Sequence, residues 1–316
     1  MSITTRIDRI TAVPSEAMSP TPPIPRSVKV ELTGRCNYRC GFCALRVREA
    51  QPVTDMDFGL FTRITREMRA AGVEELGLFF LGESFSNKEL LIAATRHAKA
   101  IGFPYVFLTT NGSLADPVTV RSLMASGLDS LKFSINAADA QQFVNVMQVK
   151  PALFMRALDN LRAAREVRDA GRYNCGLYAS SIKYDGAQQA RMEAMLDEYV
   201  RPFVDEHYWL PLYSMGSLAA QRERELGYRP TAGNQGRLDA MRAPLPCWSA
   251  FTEGHVTATG KLSACCFDAT EKWGMADLTV TPFAEAWHSA EFQRLRGAHL
   301  RRDVSGTVCE QCVAYK

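Results

Sequence analysis

The sequence predicts an α/β protein: a partial (β/α)6 TIM-like barrel followed by a small C-terminal α+β module. Three observations carry this reading. Six short, nearly continuous apolar runs recur between residues 28 and 212, as the strands of a buried parallel sheet do. Capped helical segments separate them, and steady strand–helix alternation implies right-handed βαβ units. After residue 245 the pattern changes to a hairpin and a helix and closes on a C-x2-C pair.

The strands are VKVELT (28–33), LGLFFL (76–81), YVFLTT (105–110), SLKFSI (130–135), GLYASS (176–181) and EHYWLPL (206–212). The first helix carries Leu60, Ile64 and Met68 on one face, with Gly72 past its end. Asn87 caps the second, which Gly102 closes. Asp116 and Pro117 start the third as N-cap and first residue, and Gly127 ends it. Phe154, Leu158 and Leu161 mark a fourth, and Met192, Leu196 and Tyr199 or Val200 a fifth. Six units favour an open partial barrel over an eight-fold one. Residues 1–26 read as a flexible Pro-rich arm, 27–213 as the barrel, 214–245 as a linker and 246–316 as the module. In the module, HVTATGKLSACCF turns at Thr259-Gly260, and PFAEAWHSAEFQRLRGAHL forms one helix with Trp287 buried.

The chain has 316 residues, 47% of them apolar, enough for one large domain and a small one. A net charge of +3 gives no footprint for nucleic acid or an anionic membrane. No apolar run approaches the roughly 20 residues of a membrane span. Nine cysteines without an export signal argue against a disulfide framework. A reducing, cytoplasmic setting would leave these thiols available for metal.

Three of them, Cys36, Cys40 and Cys43, sit in the loop after the first strand with C-x3-C-x2-C spacing. In barrel-like α/β folds the chemistry lies at the C-terminal ends of strands. Three thiolates can bind three irons of a [4Fe–4S] cluster and leave the fourth open. A zinc knuckle with a distant fourth ligand is the alternative. Cys247, Cys265, Cys309 and Cys312 form a second set that can hold zinc or a fully ligated cluster, and spacing alone does not separate these. Cys175 reads as core. Cys266 reads either as packing or as a group facing the site.

C-x3-C-x2-C with Phe42 before the last Cys resembles the radical S-adenosylmethionine (SAM) enzymes. The resemblance implies a [4Fe–4S] cluster on Cys36, Cys40 and Cys43 whose open iron binds SAM, with Phe42 near the adenine. Gly82-Glu83-Ser84 resembles the family's Gly-Gly-Glu-Pro segment, although Leu81 replaces the first Gly and Ser84 the Pro. Glu83 is then a contact to the methionine amino group. Thr110 and Asn111 stand where family members often read TNG. Ser134 and Asn136 stand where the family commonly places polar contacts to SAM. From Cys247 onward, CW, GKLSACCFD, Gly274, AWHSAEFQRLR and CEQC resemble the SPASM/twitch extensions. That implies an auxiliary [4Fe–4S] cluster on Cys247, Cys265, Cys309 and Cys312.

The implied activity is reductive cleavage of SAM to a 5′-deoxyadenosyl radical, which takes hydrogen from a substrate carbon. The expected substrate is a small polar molecule, sugar-, aminocyclitol- or nucleoside-like, that is oxidised or epimerised. Cys266 would be a hydrogen-atom donor, as in radical epimerases. The reductant would be a donor such as flavodoxin or ferredoxin. A peptide-modifying enzyme and a non-catalytic zinc or iron–sulfur scaffold are the alternatives, and residues 1–26 lack the winged-helix pattern of a leader-binding domain. Tyr178, Ser180, His207, Tyr208 and Tyr213 are candidates for the barrel mouth. His97 and His299 read as helix-surface residues.

Overall fold

A computed structural model describes residues 2–47, 54–215, 220–225, 227 and 229–312. Its frame is one sheet. Strands β1 (Ser27–Val30), β2 (Glu75–Gly77), β3 (Tyr105–Thr110), β4 (Ser130–Ser134), β5 (Gly176–Ile182) and β6 (Glu206–Leu210) pair in parallel, each with the next. Each predicted run overlaps one of these six strands, though only two residues of the second run, Leu76 and Gly77, fall within β2. A further strand, β7 (Glu253–Val256), lies parallel to β1 on its other side, with Ser27 opposite Glu253. Then β8 (Lys261–Ser263) and β9 (Gly274–Asp277) follow antiparallel, giving the order β6-β5-β4-β3-β2-β1-β7-β8-β9. The C-terminal module therefore continues the barrel sheet.

Among the described residues ten helices stand beside it: α1 (Ile3–Thr11), α2 (Phe58–Ala70), α3 (Lys88–Ala100), α4 (Pro117–Ala125), α5 (Ala140–Met147), α6 (Ala152–Gly171), α7 (Gly186–Tyr199), α8 (Ala220–Glu225), α9 (Phe283–Trp287) and α10 (Ala290–Leu300). Asp57, Asn87 and Asp116 accept from the first-turn amides of α2, α3 and α4, as caps do. In α2 the buried stripe runs through Phe61, Ile64, Thr65 and Met68, so Phe61 takes the place expected of Leu60. Val28, Val30, Val106, Leu108, Leu131 and Phe133 point into the layer between sheet and helices and are buried. Alternate residues point into the lumen. None of the described helices is long and apolar enough to cross a membrane.

Three expectations need correction. The arm at 1–26 is not loose. Ile3, Ile7 and Ile10 make a helical stripe, Ser2 caps α1, and the helix closes the lower end of the lumen. Arg6 and Arg9 reach the buried Glu75 at 3.1 and 2.5 Å, and Asp8 holds Arg237 at 2.7 Å. The Pro-rich stretch behind it is pinned too: Trp287 Nε1 donates to the carbonyl of Pro23 at 3.0 Å. Second, the expected helix of the module breaks at His288. Ser289 starts α10 by accepting from the amide of Phe292. Trp287 is fully buried, with the guanidinium carbon of Arg296 4.2 Å from its ring. Third, the linker is more than a connection, since Arg242 donates to the carbonyl of Asp8 at 2.7 Å and Tyr213 bridges to Ala232. Residues 216–219 of it lie outside the described residues.

Glu75 accepts from Arg6, Arg9 and Arg26 at the base of the barrel. Glu75→Gln should lower unfolding stability by about 2–3 kcal/mol, because it strands charges around a buried site. The exposed Glu74→Gln control should cost about 0.5 kcal/mol or less. Urea unfolding of both variants checks this.

Candidate active site

The three-thiol loop leaves the upper end of β1 and is anchored on the far side of the barrel. The amides of Arg39 and Gly41 donate to the carbonyls of Met147 and Val146 at the end of α5. Tyr38 packs edge-on against Phe143, 5.3 Å between centroids. Cys36, Cys40 and Cys43 are half-buried. Tyr38 N–H points at Cys36 Sγ (3.4 Å), and Cys40 Sγ lies 3.2 Å from Met147 Sδ. Burial, then the charge of Glu83, pushes the Cys36 thiol up to about 12. A bound cation is what makes such a thiol a thiolate. Phe42 is half-buried and packs on the core.

Beside this loop, the turn after β2 is held from two sides. Gly82 N–H donates to the Glu31 carboxylate at 3.0 Å, and Glu83 N–H to the Arg35 carbonyl at 2.7 Å. A Cβ on Gly82 would stand 1.9 Å from the carbonyl oxygen of Thr33, so the close approach of the two loops requires glycine. Glu83 is buried, which raises its pKa. Its carboxylate accepts from Thr110 Oγ1 (2.8 Å), Phe85 N (3.2 Å) and Asn111 N (2.7 Å). Asn111 Nδ2 in turn donates to Asn37 Oδ1 at 2.8 Å, inside the cysteine loop. Gly82, Glu83, Thr110 and Asn111 thus form one connected patch against Cys36. The Thr110 hydroxyl donates to Glu83 and accepts from Gly112 N–H, so its part is to fix the carboxylate. Ser134 ends β4 on the lumen face, in step with Ser130 and Lys132. Asn136 instead caps the end of β5, accepting from Ile182 N–H at 2.9 Å.

In the C-terminal module, Cys247, Cys265, Cys309 and Cys312 line one small cavity together with Asn234, Trp273 and His299. His299 is not a surface residue. It is buried, accepts from Cys247 N–H at Nδ1 (3.1 Å) and faces Cys309 Sγ with Nε2 at 3.4 Å. Nε2 therefore carries the proton. Cys265 and Cys266 lie in the turn after β8, so strand alternation does not separate them. They part all the same: Cys265 lines the thiol cavity, while Cys266 lines the lumen. Asn234 Nδ2 reaches both sulfurs, at 3.8 and 3.4 Å.

The lumen holds a cavity of about 220 Å³ between α1 and the middle of the strands. Tyr208 and Tyr213 line it, as expected of the mouth candidates. His207 faces away, on Ser181 Oγ at 3.0 Å. Sequence reading missed two lysines here. Lys29 is paired with Glu253 at 2.6 Å. Lys132 stands 5.6 Å from the Tyr208 ring, and burial together with the charge of Lys29 holds its amine down to about 7. Each interrupts an otherwise apolar strand, and that signal marks the lumen face.

The residues fit two clusters by donor chemistry: three thiols on one loop with a position to spare, and four around one cavity. Cys40→Ala should remove roughly half of the iron and sulfide that the reconstituted chain takes up. Cys266→Ala should remove none. Metal and sulfide analysis reads both. Gly82→Ala should weaken SAM binding about tenfold or more, by displacing the turn that carries Glu83. Equilibrium dialysis reads it.

Residues 30–175 match the Radical SAM superfamily, and residues 247–313 match the SPASM iron–sulfur cluster-binding domain. A GTP 3',8-cyclase of Synechococcus sp. (strain CC9605) is 28% identical over 207 residues, 63% of this chain and 54% of that protein, so the match spans about half of its length. A PqqA peptide cyclase of Xanthomonas campestris pv. campestris (strain 8004) is 25% identical, over 93% of this chain and 81% of that one. In fold the chain is similar to BtrN in complex with AdoMet and 2-DOIA, with a TM-score of 0.58 and 15% identity over 91% of this chain and 92% of that one. It is likewise similar to Streptococcus suis SuiB bound to precursor peptide SuiA, with a TM-score of 0.64 and 15% identity over 93% and 71%. The two family matches fall one on each thiol set, and the chain belongs to the radical SAM superfamily with a C-terminal SPASM domain, whose cofactors are a [4Fe–4S] cluster with SAM and an auxiliary cluster.

Proposed function

We propose that the chain is a radical SAM enzyme that works on a C–H bond of a small substrate held in the lumen, with Cys266 returning hydrogen to it. One observation carries this: Cys266 faces the lumen cavity, while its neighbour Cys265 faces the other thiols. In this reading Cys36, Cys40 and Cys43 hold the cluster that binds SAM, and Cys247, Cys265, Cys309 and Cys312 hold the auxiliary one. When bound, the first cluster and SAM supply a 5′-deoxyadenosyl radical that abstracts hydrogen. Glu83, with three donors already on it, keeps room for one more, the methionine ammonium. Ser134 offers its hydroxyl from the end of β4. The closed lower end of the lumen and its aromatic walls keep water from the reacting carbon.

Hydrogen return from Cys266 breaks S–H and forms C–H. The sulfur is left one electron and one proton short, which a flavodoxin- or ferredoxin-type donor and solvent restore. That outcome inverts or quenches the carbon. Loss of one electron and one proton from the substrate radical would instead give oxidation, with the auxiliary cluster on Cys247, Cys265, Cys309 and Cys312 as the group that would accept the electron, the outcome if Cys266 only packs. The substrate class in this reading is a small polar molecule such as a sugar, aminocyclitol or nucleoside. A peptide substrate is the second reading. It is favoured by the PqqA peptide cyclase relative, which the chain matches along most of its length. One side chain would then enter the lumen.

Reconstituted protein with SAM and dithionite should form 5′-deoxyadenosine under anaerobic conditions, and the Cys36/Cys40/Cys43→Ala triple variant should form none. Mass spectrometry reads the product. In D2O without added substrate, the wild-type 5′-deoxyadenosine should carry deuterium from the exchanged Cys266 thiol. Cys266→Ala should lose most of that label. Equal labelling in both proteins removes Cys266 from the reacting centre.

A further inference from the structure

The lumen cavity carries an uncompensated cation. Four cations line it: Arg6, Lys29, Lys132 and Arg237. Three have carboxylates, Arg6 with Glu75, Lys29 with Glu253 and Arg237 with Asp8. The two carboxylates that line the cavity, Glu75 and Glu253, are both among these partners. Among the described residues Lys132 has no carboxylate within ion-pair reach and no hydrogen-bond acceptor, only the Tyr208 ring at 5.6 Å. It rises from the middle of β4 into the lumen, half-buried, with its side chain lining the cavity. A charge in that position is expensive without a counter-ion. Lys29 makes it worse, because it repels.

We infer that Lys132 is the anchor for an oxyanion on the substrate, so that the molecule admitted to the lumen is a small organic acid with an apolar or aromatic body. Protonated Lys132 brings one unit of charge of its own, which a carboxylate on the substrate would match and hold in the charged form. Phe79, Tyr105, Phe107 and Trp248 provide flat apolar walls for the remainder. About 220 Å³ admits a body the size of one ring with its substituents, or one side chain of a longer substrate. The inference rests on reading the lumen as the substrate site. It narrows the substrate within that reading from polar in general to anionic.

The test uses the full chain with both clusters reconstituted and three probes of one shape: benzoate, phenyl phosphate and the neutral benzamide. Calorimetry and thermal shift read binding to the wild type, Lys132→Met, Lys132→Gln and Lys132→Arg. The expected result is saturable binding of an anionic probe, about tenfold or more tighter than benzamide. Lys132→Met and Lys132→Gln should lose that preference, and Lys132→Arg should keep part of it. Benzoate ahead of phenyl phosphate assigns a carboxylate, and the reverse order assigns a phosphate on the same anchor. Both neutral variants should melt no lower than the wild type without probe, since they remove a buried unpaired charge. Equal binding of benzoate and benzamide, unchanged benzoate binding in the neutral variants, or no binding of any probe overturns the inference. Formation of 5′-deoxyadenosine is scored separately on the same preparations. Anion binding without SAM cleavage would sink the radical reading and keep the anchor, and cleavage without anion binding would do the reverse.

Discussion

Glu31 is buried, and a buried carboxylate must have donors. Its first oxygen accepts from Leu81 N–H and Gly82 N–H, in the turn after β2. Its second accepts from Ala258 N–H at 3.3 Å, at the hairpin turn of the C-terminal module. Three distant pieces of chain thus meet on one side chain. From Gly82 the order passes to Glu83, from Glu83 to Thr110 and Asn111, and from Asn111 to Asn37 in the cysteine loop. The upper surface of the barrel is therefore one polar network in low dielectric, where each member is held by the next.

Much of this architecture was legible in the sequence. The six parallel strands stood out because strands buried on both faces are apolar runs, and Asn87 and Asp116 sit where the helices need acceptors. The cysteine sets were legible through their spacing. Less visible was anything decided by what a residue meets across the fold. The stripe of α1 is only nine residues long and is followed by prolines, so composition outweighed periodicity there. His299 lies on a helix whose polar residues turn inward, since Arg296 and His299 are both buried under the N-terminal stretch and Phe251. The extra strand β7 carries Glu253, which lines the lumen, and His255, buried beside Ser249, and so does not read as an apolar run.

The lumen and the surface network answer different demands. At the top, Glu31, Glu83 and Asn37 each accept from neighbouring donors, and the geometry is set before any ligand arrives. Lower down, the walls are aromatic and the charges are few but deep. Glu253 and Glu75 neutralise their neighbours. Among the described residues the remaining lysine meets a ring and no carboxylate. In the proposed reading the network above would fix the position of the reacting bond and the lumen below would choose the molecule, so that the two selections would act on different parts of the substrate.

The parallel ladder between β1 and β7 has a consequence for the modular view of such chains. Ser27–Val30 is covered on one flank by β2 and on the other by Glu253–Val256. Cut away the C-terminal segment, and β1 becomes an open edge with unpaired N–H and C=O groups beside Val28 and Val30, a template for edge-to-edge aggregation. The two matched regions are therefore halves of one folding unit. A chimera that grafts a foreign C-terminal domain onto this barrel must bring a strand to cover β1, and a side chain in place of Gly254 would set its Cβ 3.2 Å from a Val28 methyl group, which would have to give by a few tenths of an ångström.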